Sequence, residues 1–555
     1  MSQALRFWPV LFLLLALSSW NTYSPGDTND DTSYLALARS LSQGQAYLDL
    51  AFAGHPPHQR FPPGYPLLLV PLQWLAPQNY SLCRLEGVVF SLLAAWAMMV
   101  YARRLAEQVP GVWGWAPLLA LFNPFWVFHT TQIMSEQPFL LGLFGCLWAW
   151  DALVQKERPS TRIFFYAGLT LGLLCLVRVV ALFLVAVMAL QALWRWRWYG
   201  LRLVSWLLLG VALTAGPCLL RALLTGYDSQ ADTALTDPWL TLRENVQYFP
   251  STAGILLLTG FRWVPQWLPA WWGLFPFGLG LCGLWRMRCR PLLLGWVLAG
   301  MAMLLEWPYT HPRLLLPFLP FLQLGLWFQL GAVRRPLVRK FFWLLVLANL
   351  VWSLIDGYQA VPVRKDPGVL AILRSLSPAT VISARDQSWW LWTGLPVNPV
   401  QQMQALDREW TWLQDLNEHQ VALIVVERLQ EADSQSLLGH LRRRGWLYQE
   451  LSSTPVASVY RFQPDATWLE SFRWQRLARS ALGLRRFDWA TLLFQKALKV
   501  EPYDLSAASG LAYSLAAQGR TQEAAKLVQA ILKVDPECGE ALRVQGFLGA
   551  VGHLP

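Results

Sequence analysis

Two adjacent aspartates, Asp30 and Asp31, open a stretch in which Tyr34, Leu37, Ala38 and Leu41 recur at helical spacing and Gly44 ends the run. A carboxylate at such a helix start can cap orphan backbone amides. It can equally take a proton from a hydroxyl or amine held against it. Glu136, Arg60, Arg84, Arg178 and Arg313 stand near the edges of apolar runs elsewhere in the chain. Guanidinium groups grip phosphate through paired hydrogen bonds. Carboxylates and arginines gathered on one surface would therefore suit transfer chemistry on a phosphate-bearing substrate. These residues are far apart in sequence, so the intervening elements must bring them together.

The composition identifies those elements as membrane spans. Of 555 residues, 55% are apolar and only 14% charged, against about a quarter charged in soluble domains. The deficit is confined to the first 360 residues. Apolar runs near 5–21, 84–102, 113–129, 134–152, 162–177, 180–194, 201–220, 266–285, 291–307, 314–332 and 341–357 approach the roughly 20 residues that a spanning helix needs. The first lacks a small-residue cleavage site, so it reads as an uncleaved span. The 33 Trp, many at run ends, suit the membrane–water interface. The formal charge of +11 does not point to nucleic acid, because the basic residues are spread among loops. The seven Cys form no C-x-x-C pair, so neither a disulfide framework nor a zinc site is expected.

Basic clusters set the orientation. Arg6; Arg103 and Arg104; Lys156, Arg158 and Arg162; Arg195, Arg197 and Arg202; Arg286, Arg288 and Arg290; and Arg334, Arg335, Arg339 and Lys340 all fall on one face, provided Pro62–Pro77 does not cross. That stretch carries five Pro and one Gly, so it reads as juxtamembrane or re-entrant. The opposite, extracytoplasmic face then collects the 22–83 loop, the His129–Glu136 turn, Arg178, the 221–265 loop, the His311–Arg313 corner and the soluble C-terminal region. An active site at the outer membrane surface would have this distribution.

The first loop continues through His55-Pro-Pro-His-Gln-Arg60 into Pro-Pro-Gly-Tyr65-Pro-Leu-Leu-Leu. An acidic pair, then Tyr, Ala, Leu and Gly, then this proline-rich segment, resembles the first periplasmic loop of the GT-C glycosyltransferases of the protein O-mannosyltransferase and lipid A aminoarabinose transferase group. Ile-Met-Ser-Glu136 is similar to the family's later acidic turn, and Leu-Val-Arg178 to its basic corner. His-Pro-Arg313-Leu-Leu-Leu-Pro is similar to a late Arg-Tyr-Leu-Leu-Pro element, departing from it at His-Pro; Asp-Asp stands where Asp-Glu is common. The resemblance covers about residues 5–360.

The resemblance implies a multi-pass enzyme of the bacterial cytoplasmic (inner) membrane. It would move a sugar from a polyprenyl-phosphate donor to an extracytoplasmic acceptor by inverting displacement. Asp30 would be the base, with Asp31 or Glu136 orienting the acceptor. Arg60, Arg84, Arg178 and Arg313 would bind the donor phosphate, and Tyr34, His55 and Tyr65 would line the loop beside the acceptor. Some relatives use a divalent metal, which Asp30 and Glu136 would hold here; no other cofactor is implied. Simpler readings stand beside these. Asp30 or Asp31 would cap a helix, Glu136 would answer a helix dipole, and Arg84 and Arg178 would snorkel to headgroups. The histidines His55, His58, His129 and His311 would be structural. A non-catalytic scaffold of the same fold, assembling an envelope complex, is the alternative. A transporter fits less well, since charges sit at boundaries and not mid-span.

Beyond residue 360 the charge density is that of a soluble protein. Thr380–Ala384, Val421–Val426 and Val456–Phe462 read as strands and 432–444 as helix, a small α/β domain over 361–465. From 466 to 555 a repeat appears. Arg486, Ala490, Leu498, Val500 and Pro502 recur 34 residues later as Arg520, Ala524, Leu532, Val534 and Pro536, the period of tetratricopeptide repeats. Two repeats fall short of the usual minimum of about three, so they are expected to dock on the α/β domain or on another chain. Their groove is a candidate site for a protein partner. The expected fold class is an α-helical polytopic membrane protein of GT-C type with about eleven spans, a small extracytoplasmic α/β domain and a C-terminal helical repeat.

Overall fold

The computed structural model describes residues 7–225, 238–258, 271–305, 311–331, 336–359 and 365–550, apart from 24, 27–28, 288–289, 378, 385–387, 399–408, 419, 428–436, 440, 443–446, 455–456 and 537. Arg6, Arg288, Arg334 and Arg335, residues 226–237 and 259–265 of the expected loop, and the start of the expected 432–444 helix lie outside the described residues. The chain divides into two compact units, Met1–Asp49 with Pro57–Val363, and Leu50–Pro56 with Arg364–Pro555.

The first unit is helical, because backbone in a bilayer must satisfy its own hydrogen bonds. Its helices are α1 (Trp8–Ser18), α2 (Asn29–Ser42), α3 (Gly64–Leu75), α4 (Tyr80–Gln108), α5 (Leu118–Leu121), α6 (Pro124–Thr130), α7 (Glu136–Val154), α8 (Thr161–Val177), α9 (Ala181–Thr225), α10 (Pro238–Leu258), α11 (Trp271–Arg286), α12 (Pro291–Leu305), α13 (Leu319–Gly331) and α14 (Pro336–Gln359). Among the described residues, four are long and apolar enough to cross a membrane: Tyr80–Gln108, Glu136–Val154, Ala181–Arg221 and Pro336–Ile355. Trp96, Leu190, Leu213 and Leu344 stand exposed on them. Apolar surface on this scale needs lipid to cover it. The protein is a multi-pass membrane protein.

Three segments differ from expectation. No continuous helix runs over 113–129. The chain breaks between α5 and α6, where the Asn123 side chain accepts from Phe125 N–H and donates to the Leu256 carbonyl. The 221–265 stretch is not all loop. It contains α10, whose Phe249, Ala253 and Leu257 are fully buried in the helical core. Glu244, Asn245, Gln247 and Pro250 lower its hydropathy and hid it. Helix α2, expected to lie along the membrane surface, is buried on every side from Asp31 to Ala38. As expected, Gly44 ends that region with φ +70°. Helix α3 is about 18 Å long, too short for a hydrocarbon core of roughly 30 Å.

Helix α9 is broken at Arg197, where φ is +49°. A Cβ on Gly200 would lie 2.6 Å from the Ala192 carbonyl oxygen. Eight residues of continuous helix would separate these groups by about 12 Å, so the two halves turn back on each other. Gly168 and Gly172, four apart on α8, meet the second half. Added Cβ atoms there would sit 2.1 Å from the Leu207 oxygen and 1.7 Å from Thr214 Oγ1. This is the small-residue packing by which helices approach in lipid.

The second unit contains β1 (Val381–Ala384), β2 (Val397–Asn398), β3 (Val421–Glu427), β4 (Tyr448–Ser453) and β5 (Ala457–Phe462) in the order β2-β1-β3-β5-β4. The β2-β1-β3 pairs are parallel and β3-β5-β4 antiparallel. The first-loop segment Leu50–Pro56 adds to the β2 edge. Val397 N–H donates to Ala51 O at 2.8 Å and Ala53 N–H to Val397 O at 3.3 Å. The helix Ala466–Gly483, capped by Asp465, belongs to two cores. Trp468 and Phe472 complete the sheet's apolar layer, while Ala478 and Ala481 pack among the repeat helices. Helices Phe487–Val500, Leu505–Ala517 and Thr521–Val534 follow, and Gly539–Ala550 packs on the last two. The short repeat thus shares a helix with the sheet instead of standing alone.

Candidate active site

The site lies within the first unit. Asp30 is in the first turn of α2, Glu136 in the first turn of α7, and Arg178 ends α8. Arg313 sits in a 3₁₀ turn, Pro312–Leu315, opened by His311, whose ring accepts from Arg313 N–H at 3.1 Å. A carboxylate at a helix start is favoured by the positive end of the helix, which accounts for Asp30 and Glu136 locally. It does not account for what they meet.

Arg313 bridges the two carboxylates, with its Nη2 2.5 Å from Asp30 Oδ2 and its Nε 3.2 Å from Glu136 Oε1. The same Glu136 oxygen is 2.6 Å from Arg178 Nη1. Arg60 approaches Asp30 from the other side at 3.7 Å. Glu136 is almost fully buried, and its Oε2 has no hydrogen-bond partner among the described residues. Three guanidiniums against two carboxylates leave a positive charge. His311 adds none at neutral pH, because burial and the neighbouring Arg313 hold it down to about 4. An excess positive charge at a partly buried surface suits a phosphate.

Tyr34 forms the floor. Its hydroxyl is 3.1 Å from Ser135 Oγ, which also accepts from Arg178 Nη1 at 3.2 Å. Burial, reinforced by the Asp30 charge, pushes the phenol well above its ordinary value, so it stays a neutral hydrogen-bonding group. Its ring lies between Phe61 and Tyr65, 4.7 and 4.9 Å away. Arg60 is steadied by the loop that carries it. His58 Nδ1 meets Asp49 at 3.2 Å, and its Nε2 accepts from Phe61 N–H at 2.9 Å. Gly64, at the start of α3, allows close packing against the end of α8. A Cβ there would be 2.5 Å from the Leu176 carbonyl.

Other sequence candidates lie elsewhere. Asp31 is fully buried and faces inward; its carboxylate accepts from Tyr23 hydroxyl, from Gly26 N–H at 2.8 Å and from Thr32 N–H at 2.6 Å. It holds the loop that presents Asp30. Arg84 donates to the Trp20 and Thr131 carbonyls and stacks 4.0 Å from the Trp20 ring. Tyr65 supports the site through its ring, and its hydroxyl points to Glu86 at 3.5 Å. His55 belongs to the segment paired with the second unit's sheet. Ser135 was missed by sequence reasoning, and His311 has the structural role expected of it, its ring capping the turn that carries Arg313. Only its position beside Glu136 could have flagged Ser135.

The two carboxylates expected to hold a divalent metal are engaged by arginine. Among the described residues no three His, Cys, Asp or Glu side chains converge. Asp30 and Glu136 already share a cation, the Arg313 guanidinium.

The fold resembles that of ArnT from Cupriavidus metallidurans. Its structure bound to undecaprenyl phosphate matches with a TM-score of 0.53 and 14% identity, over 83% of this chain and 98% of that one. Its apo structure matches at 0.51 with the same identity and coverage. The mycobacterial arabinofuranosyltransferase AftD matches at 0.46 with 16% identity, over 84% of this chain and 40% of its own length. Residues 481–546 match the tetratricopeptide repeat family. Among curated proteins, none matches the chain. At such low identity the likeness to ArnT is one of fold, extending over nearly the whole of that protein.

Proposed function

We propose that the protein is a glycosyltransferase of the bacterial cytoplasmic membrane, taking a sugar from a polyprenyl-phosphate donor to an extracytoplasmic acceptor. The observation that carries this is the Asp30–Arg313–Glu136–Arg178 chain of ion pairs, assembled from four distant segments with Arg60 beside it. A fold shared with a protein whose structure holds undecaprenyl phosphate supports it. In this reading about eleven helices cross the bilayer, and the α/β domain and repeat lie outside. The repeat offers its groove to a protein partner.

The donor phosphate enters beside Arg313, Arg60 and Arg178 and competes with Asp30 for the guanidiniums. Asp30 is thereby released toward the acceptor. The acceptor hydroxyl or amine attacks the anomeric carbon from the face opposite the phosphate. Its proton passes to the Asp30 carboxylate. The bond from the anomeric carbon to the phosphate oxygen breaks, and the electron pair leaves on polyprenyl phosphate, where the arginines stabilise it. Glu136 holds Arg178 and Arg313 in position. The test uses purified protein in lipid nanodiscs with a panel of undecaprenyl-phosphate sugars, with water standing in as the acceptor hydroxyl so that the free sugar is the other product, and follows release of undecaprenyl phosphate. Wild type should release it and Asp30→Asn should not. Equal release by both would remove Asp30 from the mechanism. Absence of release and of undecaprenyl-phosphate binding in wild type would favour the scaffold alternative.

A further inference from the structure

At the other end of the membrane unit lies a cavity of about 370 Å³, bordered by Gln108, Gln155, Gln191, Trp194, Arg195 and Arg290. Helix α7 runs from Glu136 at the candidate active site to Val154 at this cavity, and its 19 residues span about 28 Å. The two sites therefore lie at opposite ends of that helix.

The cavity has a built wall. Arg290 pairs with the buried Asp151 at 2.8 Å and donates to the Gln108 side chain. Trp150 donates its indole N–H to Gln191 at 2.8 Å. Those polar groups are spoken for within the protein. Arg195 is different. It lines the opening, is exposed, and has no hydrogen-bond or ion-pair partner among the described residues. Since Asp151 neutralises Arg290, Arg195 leaves the cavity with one uncompensated positive charge. The helix α12 begins at its edge with Pro291, adding the positive end of a helix dipole. Trp194 and Trp198 beside it are strongly exposed, as expected of side chains at the headgroup level. Arg104 acts on Asp151 at this same end, and the Lys156 carbonyl accepts from the Trp196 indole N–H there; positive charge gathered in this way attracts anionic lipid.

We propose that this cavity binds a phosphate group, held by Arg195 at its mouth with Arg290 behind. The group comes from the headgroup of an anionic phospholipid or from a soluble phosphate. The bound group gains a charge-assisted contact with Arg195 while Asp151 keeps Arg290 fixed. This role is independent of the sugar chemistry at the opposite end of α7.

The test measures thermal unfolding and retained lipid, by native mass spectrometry, for the full-length protein in nanodiscs of phosphatidylcholine with or without phosphatidylglycerol. Inorganic phosphate is titrated into the phosphatidylcholine sample. Arg195→Ala is compared with wild type, and Arg195→Lys is the rescue. Arg195 is exposed, so these variants should fold. Phosphatidylglycerol should raise the unfolding temperature and remain bound to wild type, with binding at least several-fold weaker in Arg195→Ala and largely restored in Arg195→Lys. Stabilisation by inorganic phosphate alone, also lost in Arg195→Ala, would assign the site to a soluble phosphate. Equal retention of phosphatidylglycerol by wild type and Arg195→Ala, without a phosphate effect, would overturn the proposal.

Discussion

Helix α7 carries a buried carboxylate at each end, and the two are held differently. Glu136 sits in the first turn, where the helix dipole favours it, and faces two guanidiniums from separate segments. Asp151 lies in the last turn, where the dipole opposes it, and is held by Arg290. At the Glu136 end the ion pairs continue to Asp30 and the partly exposed Arg60, and positive charge is in excess. At the Asp151 end the pair balances within itself. A buried ion pair costs nearly as much desolvation as it returns in attraction, so the Asp151–Arg290 pair adds no spare charge of its own and serves to fix Arg290 beside the cavity that Arg195 lines. A chain of pairs with charge to spare and an orphaned carboxylate oxygen is arranged for something that arrives.

The comparison can be broken in four places. The largest expected effect is on chemistry. Asp30→Asn should lower release of undecaprenyl phosphate by about 100-fold or more, the usual worth of a general base, in protein that still folds cooperatively. Glu136→Ala should cost both function and stability. It strands Arg178 and loosens Arg313, a loss of about 3–5 kcal/mol, read as a lower unfolding temperature and weaker undecaprenyl-phosphate binding. Asp151→Asn should be milder. Arg290 keeps its Gln108 contact, so the loss is about 1–3 kcal/mol, and release per folded molecule should match wild type. If Asp151→Asn silenced the enzyme as Glu136→Ala does, the two ends would not differ as described. Smallest is Asp31→Asn, which keeps the shape but weakens hydrogen bonds from Tyr23 and Gly26 by about 1–2 kcal/mol. Its release should stay well above that of Asp30→Asn; a reversal would exchange the roles of the two aspartates.

Much was legible where the information is local. The strands over 381–384 and 421–427, the 34-residue repeat and the Gly44 stop follow from spacing within a few turns of chain. The α10 helix was hidden because its polar residues lower mean hydropathy, although one face of it, with Asn245, Phe249, Ala253 and Leu257, is buried in the helical core. Asp30 and Asp31 are neighbours of identical chemistry, and no sequence pattern separates them. About 100° of helical rotation turns one toward Arg313 and the other toward Tyr23 and Gly26. Arg84 and Arg178 likewise stand at similar run edges, yet one clasps backbone carbonyls and an indole while the other meets Glu136.

By itself, then, the sequence determined that the chain enters a membrane, where its apolar runs fall, that a repeat lies over its last hundred or so residues and that an acidic pair starts a helix. Hydropathy and periodicity are sums over adjacent residues, so they need no knowledge of the fold. Only the tertiary structure decided which arginines join which carboxylates. Asp30 and Arg313 are 283 residues apart. Their meeting depends on how α2, α7, α8 and the Pro312 turn pack, aided by the close approach that Gly64 permits. Ion pairs of that kind are set by the positions of backbones, and those positions are a property of the whole unit.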